Sequence, residues 1–161
     1  MPLTSAQRIT LKTAIIADPI LNIQPNTADG AFAIADALNL AANPAFTVWK
    51  TNVPITTVGD NFIGTELSGL SSLNQTRLQT IAQFSLNGIN PSLADRRAFF
   101  DDVFSGAGGA LTRAKLLILW KRTANRVEKI LSTGTGTDAA PATMGYEGTV
   151  NYLDVFQAMG W

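Results

Sequence analysis

The sequence predicts a mainly α fold, a small helical domain around one long central helix, with an extended connector and a minor β segment. Three observations carry that prediction. Apolar residues recur at three- and four-residue steps along several stretches, and strong stop signals such as Asp18-Pro19 and Gly88-Ile89-Asn90-Pro91 bound them. The one long β-branched and aromatic stretch, Phe46 to Val58, is interrupted by Pro54. A chain of 161 residues suffices for one domain with its own core.

In chain order, TSAQRITLKTAII reads as a first helix. Thr4 or Ser5 can cap it, Ile9, Leu11, Ile15 and Ile16 give it an apolar side, and Asp18-Pro19 ends it. A second helix is expected from about Asp29 to Leu40, with Phe32, Ile34, Ala35 and Leu38 spaced for packing and Asn43-Pro44 closing the region. Phe46 to Val58 has strand propensity, although packing could turn part of it helical. Gly59, Gly64 and Gly69 mark the following stretch as loop. Helix resumes from Ser71 or Ser72 to about Leu86, and Ser92 reads as the N-cap of a short helix to Phe104, with Asp95 at the capping-box position.

The strongest element runs from Leu111 to Leu131. Leu117, Trp120, Ala124, Val127 and Leu131 form one stripe at helical spacing, so a single core helix is expected. Residues 132–143, STGTGTDAAPAT, are small and read as a flexible or extended connector. A β-like piece from Met144 to Val150 and a terminal helix from Tyr152 to Met159 complete the chain, with Asp154 suited to the positive end of that helix. The expected organisation is therefore a helical domain over 1–131 and an arm with a short helix over 132–161, packed on itself or on a neighbour.

Composition narrows function. Charged residues are 15% of the chain, 12 basic against 12 acidic, so self-repulsion is small and large contacts with other subunits are tolerated. With no Cys and no His, thiolate chemistry, sulfur-rich metal sites and imidazole base catalysis are unavailable, and no cofactor is expected. No signal peptide or membrane span is read, which makes synthesis in a cytoplasm the default and a membrane partner unexpected. Carboxylates remain as acid–base material, Glu66 with Asp101 or Asp102 above all, but adjacent aspartates on a helix point apart, so caps or ion pairs are the expected roles. A serine–lysine pair built on Ser105 or Ser132 is formally available and has no accompanying motif. GAGG at Gly106 to Gly109 lacks the lysine and hydroxyl of a phosphate loop, so it reads as a tight turn.

The basic residues are uneven. Between Ala110 and Leu131, Arg113, Lys115, Lys121, Arg122, Arg126 and Lys129 stand against Glu128 alone, a net of +5. On one helix, Lys115, Arg122, Arg126 and Lys129 would lie mainly off the apolar stripe, and with Lys121 they are the candidates for contact with phosphates or with acidic protein groups. A solvated helix face is the base-rate explanation, ahead of acidic protein partners and then nucleic acid. The candidates for an assembly arm are Ser132, Gly134, Gly136, Pro141 and Trp161.

The stretch FDDVFSGAGGALTRAKLLILW, continuing through KRTANRVEKILSTGTGTDAAPATMGYEGTVNYLDV, resembles a family of small proteins encoded in the structural gene modules of tailed bacteriophages and prophages. LTSAQRITLKTAIIADP, NTADGAFAIADALNL and NPAFTVWKTNVP are similar to the same family. The resemblance covers nearly the whole chain, least between Gly59 and Asn90. It implies a virion component made in the host cytoplasm, most readily a head–tail connector or adaptor that forms a ring of its own copies at the neck. The implied partners are the portal or neighbouring neck and tail proteins, with passive contact to packaged DNA. Tail-associated and capsid-decorating roles fit the same features. No catalytic residue is carried over.

Overall fold

A computed structural model describes residues 2–161. Its helices are α1 (Ser5–Ala17), α2 (Ala28–Asn39), α3 (Ile55–Asp60), α4 (Gly64–Ser68), α5 (Ser72–Phe84), α6 (Ala94–Val103), α7 (Ala110–Leu119), α8 (Arg126–Ile130) and α9 (Tyr152–Met159). The strands are β1 (Thr47–Trp49), β2 (Lys121–Thr123), β3 (Ser132–Thr133) and β4 (Thr143–Met144). They form two two-stranded sheets, β1 with β2 and β3 with β4. The fold is mainly α.

The chain divides into two compact units. The first joins the N-terminal part up to Val48 to residues Thr123–Trp161; the second is the inserted stretch Trp49–Arg122. Residues 132–161 thus share a unit with the two N-terminal helices.

In the first unit, Thr4 and Gln7 form a capping box at the start of α1, with Gln7 N–H donating to Thr4 Oγ1 at 3.3 Å and Thr4 N–H to Gln7 Oε1 at 2.8 Å. The cap sets the helical phase that buries Leu11 and Ile15 and leaves Ile9 and Ile16 outside. Thr27 caps α2 through Gly30 N–H, and Ile34, Ala35 and Leu38 turn inward. Helices α8 and α9 pack on α1 and α2. Val127, Leu131, Val155 and Ala158 complete a core that draws on both ends of the chain. Each buried Val, Leu or Ile of this core contributes about 1.5–3 kcal/mol relative to exposure.

In the second unit Phe100, Val103, Phe104, Leu116 and Trp120 are buried with Val53, Val58, Leu78 and Ile89. Ser71 caps α5 through Asn74 N–H. Gly109 is needed where α6 turns into α7: a Cβ there would lie 2.0 Å from the Phe104 carbonyl oxygen.

Several expectations are corrected. The predicted 111–131 helix is three elements: α7 ends at Leu119, residues 121–123 form β2, and α8 starts at Arg126. Pairing of β2 with β1 takes the backbone out of the helix, and Ala124 N–H donates to Phe46 O at 2.8 Å. A fresh capping box then opens α8, with Glu128 N–H on Asn125 Oδ1 at 2.8 Å and Asn125 N–H on Glu128 Oε2 at 3.0 Å. The buried side of α7 is Thr112 and Leu116, leaving Leu117 47% exposed, so the stripe is not continuous. Around Gly59 and Gly64 the chain forms α3 and α4 rather than loop, because burial of Val58 holds a helical turn after Pro54. Ser92 does not cap α6: its hydroxyl donates to Asn90 Oδ1, and Leu93 occupies the cap position without a side-chain bond. The β-like stretch after Met144 is confined to β4.

Candidate functional site

The five basic candidates expected on one long helix occupy three elements and both units. Lys115 is exposed on α7; Lys121 and Arg122 are half-buried in β2. Arg126 Nη2 is 2.6 Å from Asp18 Oδ2, and Lys129 Nζ lies 5.7 Å from the centre of the Phe46 ring. Arg126 and Lys129 line an open cavity of about 340 Å³ with Ala14, Asp18, Asn43 and Ile130. Asp18 is held there at the C-cap of α1. Its carboxyl lies below the usual carboxylate range because Leu21 N–H bonds it; burial opposes that shift, and Ile20 N–H and the Arg126 charge add to it. The cavity therefore contains an acid as well as two cations. A phosphate would have to displace Asp18 from Arg126 to gain a charge-assisted bond.

Of the candidate acid–base carboxylates, Glu66 and Asp102 have structural partners. Glu66, on α4, accepts hydrogen bonds from Leu111 N–H at 3.0 Å and Thr112 N–H at 2.8 Å, at the first turn of α7. Burial raises its pKa, but the Thr112 hydroxyl, the two backbone donors and the Arg113 charge outweigh it, and the net shift is downward. Thr112 is fully buried and its hydroxyl accepts from Ile63 N–H, so α4 is tied to α7 from both sides. Asp102 is 2.7 Å from Arg77 Nη2. Asp101 lines a shallow cavity with Ser105, Gly106 and Arg113, and no lysine lines it. Arg113 reaches the Phe104 and Gly106 carbonyl oxygens. Ser132 donates to Glu128 O at 2.6 Å. No group of three or more Asp, Glu, His or Cys is placed to hold a metal ion among the described residues.

The 132–143 segment is a hairpin bonded into its own unit, not a free connector. Ser132 pairs with Met144 and Thr133 with Thr143 in antiparallel register. Thr47 N–H donates to Gly136 O at 2.7 Å, and Ala142 N–H to Thr47 O at 2.9 Å. Gly136 has φ +66° and is buried against the Phe46 ring, and Gly134 has φ +122° beside Ala142. Pro141 is half-buried, whereas residues 137–140 are exposed at the tip. Trp161 docks on its own unit, edge-on to Phe156 with ring centres 6.1 Å apart. The segment folds back because alternate small residues let its backbone lie against β1.

Sequence reasoning missed the surface around α5. Leu73 is 67%, Phe84 83% and Leu86 80% exposed. Two open apolar grooves flank this helix. One, about 500 Å³, is lined by Phe62, Leu67, Leu78 and Ala82 among others; the other, about 380 Å³, by Ile81, Phe84 and Phe99 with Arg77 and Arg96. Their signal was present: Leu73 and Phe84 are eleven positions apart, three helical turns, so they share a side of the helix that Leu78, five positions from Leu73, does not. No helix is long and apolar enough to cross a membrane among the described residues. No family model, no curated protein and no solved structure matches the chain.

Proposed function

We propose that the protein is a non-enzymatic structural component of a tailed-bacteriophage particle, assembling with its own copies as a ring-forming adaptor at the neck. The observation that carries this reading is the exposed apolar surface of the second unit, centred on Phe84. Scattered apolar side chains are ordinary on a monomer, but aromatic and aliphatic groups lining adjoining grooves mark surfaces that other proteins cover. The phage resemblance supplies the class of assembly. The assignment of its main polar groups to caps, ion pairs and turns is consistent with a scaffold role.

The basic residues lie on α7, β2 and α8 rather than on one long helix, so the nucleic-acid reading loses the single helical face on which it was built. Reconstruction of an intact particle tests the reading. Density for this chain in a ring between portal and tail is expected; density spread over the capsid lattice or confined to the tail tip would reject the neck.

A further inference from the structure

The two units have opposite charge. The first carries four Lys and Arg against seven Asp and Glu, a net of −3; the second carries eight against five, a net of +3. Each also presents an apolar feature framed by its own sign of charge. On the first, α2 exposes Asp29, Phe32, Ala33 and Asp36, which share one helical face at steps of three, four and seven. Asp29 and Asp36 lie about 10 Å apart along the helix axis, with Phe32 between them. Phe32 is 49% exposed and held in place by stacking on Tyr152 at 4.3 Å. On the second, the groove beside α5 is lined by Ile81, Phe84 and Phe99 together with Arg77 and Arg96. Arg77 is anchored by Asp102 and lies 5.2 Å over Phe99, and Arg96 makes no ion pair among the described residues.

We propose that the α2 face of one copy docks in the α5 groove of a second copy, Phe32 against Phe84, with Asp29 and Asp36 facing Arg77 and Arg96. Phe32 and Phe84 are both exposed within a chain, so each is available to another copy. The apolar contact supplies the buried centre, and the charged rim sets register and speeds encounter. Because the surfaces differ, the contact is heterologous: each copy keeps one of them free, and repetition generates a ring or a filament. This deepens the ring reading by naming the surfaces that join its copies.

Sedimentation of the purified full chain and of two single variants tests the docking. F84E removes the groove and D36K the acidic face, each at an exposed side chain. Wild type should associate with rising concentration and less so with rising salt. Each variant alone should bind itself at least about ten-fold more weakly, the equivalent of roughly 1.4 kcal/mol. An equal mixture of the two should form a species of twice the monomer mass and nothing larger, since one intact groove meets one intact α2 face. A wild-type monomer at about millimolar concentration, or folded variants whose mixture gives no heterodimer, would overturn the docking. If F84E loses its helical circular dichroism, R96E replaces it, and the double variant R96E/D36K should restore association; failure of that rescue counts equally against the proposal. Association that follows this pattern in a chain located away from the neck would overturn only the neck assignment.

Discussion

Single side chains hold this fold at points where backbone groups would otherwise lack partners. Glu128 is 2% exposed and accepts from Asn125 N–H and, at 2.9 Å, from Gly148 N–H, while the Asn125 amide donates to Gly148 O at 2.8 Å. Glu128→Gln sets an amide donor against one of those N–H groups, and a loss of about 1–3 kcal/mol is expected. Urea unfolding measures it, and an unchanged midpoint would refute the role. Gly136→Ala places a Cβ 2.1 Å from Phe46 Cε2 at a positive φ, so stability should fall by more than about 1 kcal/mol, read as a lower Tm. Glu66 and Asp18 both have folded-state pKa values below their unfolded ones, so each stabilises the fold above the unfolded value and ceases to as pH falls through the folded one. Stability should therefore decline on acidification below the ordinary carboxylate range. In Glu66→Gln the acid limb should be shallower; an identical limb would show that the cap on α7 does not titrate with folding.

Among the elements, the ends of helices depend on local chemistry and their continuity depends on packing. Asn125→Ala removes the cap of α8 together with its bond to Gly148 O, and about 1–2 kcal/mol should be lost. Chemical denaturation checks that value, and a loss well under it would mean that packing alone holds α8. The terminal helix Tyr152–Met159 was legible to the residue, as was the Asp18 stop of α1, and the cap of α1 was legible to within Thr4 or Ser5, because each is signalled within four positions. The 111–131 stretch misled because Trp120, Ala124, Val127 and Leu131 are all buried, which keeps helical spacing across a break made by strand pairing to residues 47–49. No local pattern announces a partner over seventy positions away. Asn125 followed by Glu128 at the third position was the readable sign that a second helix begins there. The basic residues were expected on one helical face for the same reason, and that face needs the unbroken helix.

At the scale of the whole molecule, each of the two units buries its own main cluster of apolar side chains. Ile34→Ala in the first and Leu116→Ala in the second each remove a fully buried aliphatic group, and each should cost about 2–5 kcal/mol. Hydrogen exchange should show the greater loss of protection within the mutated unit. Equal loss in both after either substitution would mean that the chain opens as one cooperative body. The order in which the chain enters these cores has its own consequence during synthesis. The first unit needs α8 and α9 to cover Leu11, Ile15 and Ile34, but those helices are made only after residues 49–122. At roughly 5–20 residues per second, α1 and α2 wait about 6–25 s on the ribosome before α9 emerges. The inserted stretch 49–122 is complete well before then and can fold first. The N-terminal helices consequently spend their earliest seconds as an amphipathic pair with an open apolar side, accessible to chaperones and to neighbouring nascent chains.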